Sequence, residues 1–167
     1  MEGWFFVTAA LLAVSGIRKV VDPAPTSGAL RAAGLPHRST LVLGLGVFEV
    51  GVGASNLLVS NSVLVWAQAA LYAAFAVFVL WALRQRIPIA SCGCFGKPDT
   101  PPTRLHVVVN VAALVGASVH ALTETPSLAS VLGSQPLVGV PYLGFVALGT
   151  YCLYLLLGEL PLLRTNA

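Results

Sequence analysis

The sequence predicts an all-α fold: a polytopic transmembrane bundle of about five helices, a four-helix core plus one, with a cysteine-bearing loop between the third and fourth spans. Three observations predict it. Hydrophobic residues make up 57% of the 167-residue chain and charged ones only 9%, whereas soluble domains carry roughly a quarter charged. The apolar residues fall into five runs, each near the roughly 20 residues needed to cross a hydrocarbon core about 30 Å thick. The polar residues gather in the short stretches between those runs, so residues 1–167 read as a single integral membrane domain.

The first run, Trp4 to Val21, ends in Arg18 and Lys19. Its uncharged part has the length of a signal-peptide core, but Glu2 precedes it and no small-residue cleavage site follows, so it reads as a retained helix. The basic pair is placed to snorkel toward the headgroups on its aliphatic stems. A connection rich in proline and alanine, Asp22 to Arg38, contains Gly28 to Leu35, expected to form a short helix on the interface. The second run, Ser39 to Val59, carries one acid, Glu49, and Ser60-Asn61 forms a tight turn after it. The third, Ser62 to Leu83, places Trp66 and Trp81 near its ends, where indole rings favour the interface. Arg84 and Arg86 stop it. The loop 85–104 holds Pro88, Pro98, Pro101 and Pro102 around Ser91-Cys92-Gly93-Cys94-Phe95-Gly96. The fourth run, Leu105 to Leu122, opens with His106 and closes near His120, which is expected at the surface. The fifth, Leu137 to Leu157, contains Pro141 and Cys152.

The formal charge of +3 does not mark a nucleic-acid binder, because the basic residues are scattered among lipid-length apolar runs. They report topology instead. With the N-terminus outside, Arg18, Lys19, Arg31, Arg38, Arg84, Arg86, Lys97, Arg104 and Arg164 all fall on one face, the cytoplasmic one by the lysine and arginine bias. The expected orientation is N-terminus out and C-terminus in, in a bacterial plasma membrane, with Cys92 and Cys94 at the cytoplasmic side.

Two thiols separated by one glycine close on each other only if the chain turns, since a disulfide needs Cα atoms about 4.4 to 6.8 Å apart. A turn at Gly93 permits this. So compact a bridge is strained and readily exchanged, which suits thiol–disulfide exchange better than stapling. The same soft sulfurs also suit copper(I), zinc or mercury, with Cys92, Cys94, Cys152 and His106 as the alternative ligand set. A structural subunit whose loop docks a partner is the third reading. Glu49 lies within a span, where a charge facing lipid is costly, so it faces protein or water. Gly46, Glu49, Gly53 and Asn56 share one helical stripe, a small, polar face that admits another helix closely. Glu49 is therefore a candidate proton acceptor or a partner for Arg18 or Lys19. His106 and Asn110 are one turn apart just inside the thiol loop. A histidine there is placed to favour a thiolate or shuttle its proton.

The order of these features is similar to the methylamine-utilisation MauE group of the wider DoxX-like membrane protein families. The first helix ends Gly16-Ile17-Arg18-Lys19-Val20-Val21-Asp22-Pro23, a span with a central glutamate follows, and then Cys92-Gly93-Cys94-Phe95-Gly96. The likeness runs to about Asn110, and Lys19, Asp22, Glu49 and the cysteine loop carry its most specific part. The resemblance implies a helical bundle acting in thiol–disulfide metabolism beside a thioredoxin-like partner and supporting the maturation of other proteins. Catalytic roles then fall to Cys92, Cys94, His106 and Glu49, with Gly93, Phe95, Gly96, Arg18, Lys19, Asp22 and Asn110 in support. No cofactor is required by the sequence, and a membrane quinone is compatible with it as electron acceptor. The family places the useful disulfide outside, whereas the basic residues put the thiols inside. A re-entrant loop shielded by protein, or electrons supplied by cytoplasmic thioredoxin, accommodates both.

Overall fold

The computed structural model describes residues 2–59, 61–87, 89, 101–123, 127–134 and 136–158. Among them are seven helices and no strand: α1 (Glu2–Val21), α2 (Ala24–Ala32), α3 (Ser39–Leu58), α4 (Ser62–Arg84), α5 (Arg104–Leu122), α6 (Leu128–Ser134) and α7 (Pro136–Gly158). Five of these, α1, α3, α4, α5 and α7, are long and apolar enough to cross a membrane. The chain is a multi-pass membrane protein.

Side-chain and backbone hydrogen bonds set the joints between spans. Asn61 caps α4, its Oδ1 accepting the Val63 N–H at 2.9 Å. α2 begins earlier than its expected start at Gly28, because Asp22 Oδ1 accepts the Ala24 N–H at 3.1 Å and Pro25 sits in the first turn, where a missing N–H costs nothing. Beyond its last residue, Ala32, it is closed by Gly34, whose φ of 69° lets Leu35 N–H reach Leu30 O at 2.9 Å and Gly34 N–H reach Arg31 O at 3.0 Å. These are the two bonds of a Schellman cap. α4 closes in the same way, with Arg86 at φ 51° and Ile87 N–H on Ala82 O at 3.1 Å. The helix α6 was not expected from the sequence; its seven residues are too few to show an apolar period.

α1 is the centre of the bundle. Over half of its membrane-length stretch is buried (56%), against 17% for α7. Phe5, Phe6, Ala9, Leu11 and Leu12 are all buried, although they point in different directions around the helix. Phe5 and Phe6 pack with Val65, Ala117 and Val146 of three neighbouring helices. Leu11 packs with Val79, Val109 and Leu157, and Leu12 with Val52, Leu71 and Ala113. Surrounded by protein rather than lipid, α1 can carry the polar Thr8, Ser15 and Lys19 that a lipid-facing helix would not.

The closest approach is between α1 and α3, which run antiparallel. A Cβ added to Gly16 would sit 2.5 Å from Gly46 O, and one added to Gly53 would sit 2.5 Å from Ala9 O. The two backbones therefore touch, as small residues allow in membrane bundles.

His120 departs from its expected surface position. Its ring stacks on Phe5 with centroids 3.7 Å apart and meets the edge of Phe6 at 5.6 Å, because the aromatic start of α1 covers the end of α5.

Candidate functional site

The stripe Gly46, Glu49, Gly53 and Asn56 is wholly buried, and its Gly46, Glu49 and Gly53 meet α1. Because the glycines bring the backbones together, the one large polar group between them, Glu49, is sealed from lipid at 0% exposure. Its partner is Lys19. Lys19 Nζ donates to Glu49 Oε2 at 2.8 Å and to Ser15 Oγ at 2.7 Å, and lies 5.5 Å from the centre of the Phe75 ring. Glu49 Oε1 accepts no hydrogen bond from the described residues.

Lys19 does not snorkel to the headgroups, as its place at the end of α1 suggested; it is 2% exposed. A helical Cα–Cβ bond leans toward the helix N-terminus, which for Lys19 is the bundle interior. Gly46 opposite it leaves room for the stem, since a Cβ there would lie 3.0 Å from Lys19 Cβ. Arg18, one residue earlier and on another face, does stay exposed, donating to Tyr154 Oη of α7 at 2.6 Å.

A second polar cluster lies two turns away along the same seam. Asn56 Nδ2 donates to Gln68 Oε1 at 2.9 Å and to Leu64 O at 3.1 Å. Gln68 Nε2 donates to Thr8 Oγ1 at 3.2 Å, and Tyr72 Oη donates to Thr8 O at 2.7 Å. This network ties α1, α3 and α4 together. Of its members the sequence reading reached only Asn56. The signal for Gln68 was present, as an amide in the most apolar run rarely faces lipid. Thr8 and Tyr72 gave none, because a small hydroxyl and an aromatic ring are ordinary in a span.

At the end of the bundle where α1 finishes, His106 opens α5 and is 1% exposed. The Thr103 N–H donates to its Nδ1 at 3.3 Å, with Thr103 Oγ1 3.0 Å from the same atom. The imidazole thus fixes the first turn of the helix that follows the thiol loop. Asn110, one turn on, is also buried. The described start of the loop is anchored too: Ile89 packs on Ala29 of α2 and Ala82 of α4. Cys92, Gly93, Cys94, Phe95 and Gly96 themselves lie outside the described residues. Cys152 is exposed on α7, and among the described residues no three histidine, cysteine or acidic side chains gather to hold a metal.

These positions acquire a common context from comparison with known proteins. A family model described as methylamine utilisation protein MauE matches residues 3–123. The chain belongs to the MauE family. The MauE match runs from the start of α1 to the end of α5. It takes in the Lys19–Glu49 pair, Asp22, the cysteine loop, His106 and Asn110, and leaves out α6, α7 and Cys152. No curated protein and no solved structure matches the chain.

Proposed function

We propose that this MauE-family protein is a membrane-embedded thiol–disulfide redox protein whose Cys92 and Cys94 cycle between dithiol and disulfide. The observation that carries the reading is Cys92-Gly93-Cys94-Phe95-Gly96 in the segment between α4 and α5 of a chain of that family. On oxidation two S–H bonds break and one S–S bond forms, releasing two electrons and two protons. A disulfide in a thioredoxin-like partner accepts them by exchange through a mixed disulfide, or a membrane quinone accepts them and becomes the quinol. Run in reverse, the same step reduces the partner. The methylamine utilisation in the family's description gives the setting, with the thiol chemistry supporting maturation of the proteins involved.

The surroundings support this assignment of roles. Arg104 and His106 stand at the start of α5, ten and twelve residues after Cys94, and an imidazole or cation beside a thiol favours the thiolate. Glu49 takes a proton or fixes the α1–α3 seam through Lys19. The basic residues put the loop on the cytoplasmic side.

Vesicles containing the chain and a reduced thioredoxin-like protein test the reading. Electron transfer into the membrane is expected with the native sequence and lost in Cys92→Ser, Cys94→Ser. Transfer retained by the double variant contradicts it. Stoichiometric copper or zinc on the purified native protein, lost in the same variant, would indicate soft-metal binding instead.

A further inference from the structure

A crevice of about 500 Å³ opens between the end of α4 and the start of α5, lined by Leu80, Leu83, Arg84, Arg104, Val107 and Val108. The spacing explains why these residues meet. Residues 80, 83 and 84 are three and four apart on α4, and 104, 107 and 108 are so on α5, so each set occupies one helical face. The floor is aliphatic and the rim carries two guanidinium groups. Both arginines are exposed, and among the described residues no carboxylate lies within ion-pair distance of either. They terminate membrane-length helices, which puts them at the level of the phosphates while the aliphatic floor lies at the level of the upper acyl chains.

We propose that this crevice binds one anionic phospholipid, its phosphate bridging Arg84 and Arg104 and the first part of one chain lying on Leu80, Leu83, Val107 and Val108. Charge complementarity selects this occupant. Two forked guanidinium groups suit a phosphate, and basic pockets between spans at the cytoplasmic boundary are typical anionic-lipid sites. A neutral amphiphile would bring the two guanidinium groups no counter-charge. The consequence is local: the bridging phosphate ties together the two helix ends between which the Cys92–Cys94 segment runs. Lipid binding there is independent of the thiol chemistry.

Native mass spectrometry of the full chain in mild detergent, titrated with phosphatidylglycerol or phosphatidylcholine, tests it. One phosphatidylglycerol is expected to bind in preference to phosphatidylcholine. Each arginine near an anionic surface contributes about fivefold, so Arg84→Gln with Arg104→Gln should weaken binding about thirtyfold. Val108→Trp should also weaken it with both charges intact. Val108 is 63% exposed, so this change blocks the crevice without disturbing the core. Arg31→Gln with Arg38→Gln, at the same end of the bundle, should leave binding unchanged. Equal affinity for the two lipids, full binding by Val108→Trp, or a loss from Arg31 and Arg38 as large as that from Arg84 and Arg104 would overturn the site.

Discussion

At the residue scale the Lys19–Glu49 pair is the feature on which the bundle's interior turns. Both ends are sealed from solvent, so removing one leaves the other charge buried, at a cost of about 3–5 kcal/mol. Lys19→Met and Glu49→Gln should each destabilise the protein by about that amount, whereas the double variant should recover much of the loss. Unfolding in mild detergent, read as a double-mutant cycle, measures the coupling; additive losses would mean that the pair is not a unit. The sequence showed that Glu49 faces protein or water, and it left open both a proton-accepting role and the choice of Arg18 or Lys19 as partner. Adjacent residues sit about 100° apart on a helix, so only one of them shares a face with Gly16. That one is Lys19, three residues on, and the spacing was legible once the glycine was recognised as the contact point. The network of Thr8, Gln68 and Tyr72 was largely hidden because its shortest bond uses a backbone carbonyl, that of Thr8.

At the element scale the α1–α3 seam makes a sharp distinction among glycines on one helix. Gly53→Ala would bring a Cβ to 2.5 Å from the Ala9 carbonyl oxygen, so whole backbones must part. Loss of about 1–3 kcal/mol or more is expected from such overpacking, and Gly16→Ala should behave alike. Gly51→Ala and Gly44→Ala meet nothing within 4 Å and should be neutral or stabilising by up to about 1 kcal/mol. Thermal unfolding of the four variants checks this, and equal losses would place the helices further apart than described. The span boundaries were legible because lipid-length apolar runs need no tertiary information. The rank of α1 was not. It is interrupted by Thr8, Ser15 and Lys19, which weakens it as a lipid-facing segment, and the same residues mark a helix enclosed by others. The start of α2 was missed because Pro23 and Pro25 read as connection, although a proline in the first turn suits a helix.

At the scale of the whole molecule, antiparallel succession of five spans collects the basic residues at the end where α1 and α4 finish and α3 and α5 begin. A reporter fused at the C-terminus and impermeant thiol labelling at Cys92 and Cys94 should both report the cytoplasmic side; labelling from outside in intact cells would reverse the orientation. Composition gave the membrane class, since 57% hydrophobic residues leave a soluble fold no way to cover its surface, and the five apolar runs gave the number of spans. The way the helices surround α1 required the contacts among glycines, which a linear pattern does not reveal. The central claim is that Cys92 and Cys94 gain and lose two electrons as a pair. Its most direct measurement is the intact mass of the membrane-embedded chain, equilibrated across a series of thiol–disulfide potentials and trapped by alkylation. The account predicts two populations at these two positions, one with both thiols alkylated and one with neither, the latter two hydrogen masses below the unalkylated dithiol, exchanging at a single midpoint. Thiols that remain alkylatable at every potential would contradict it.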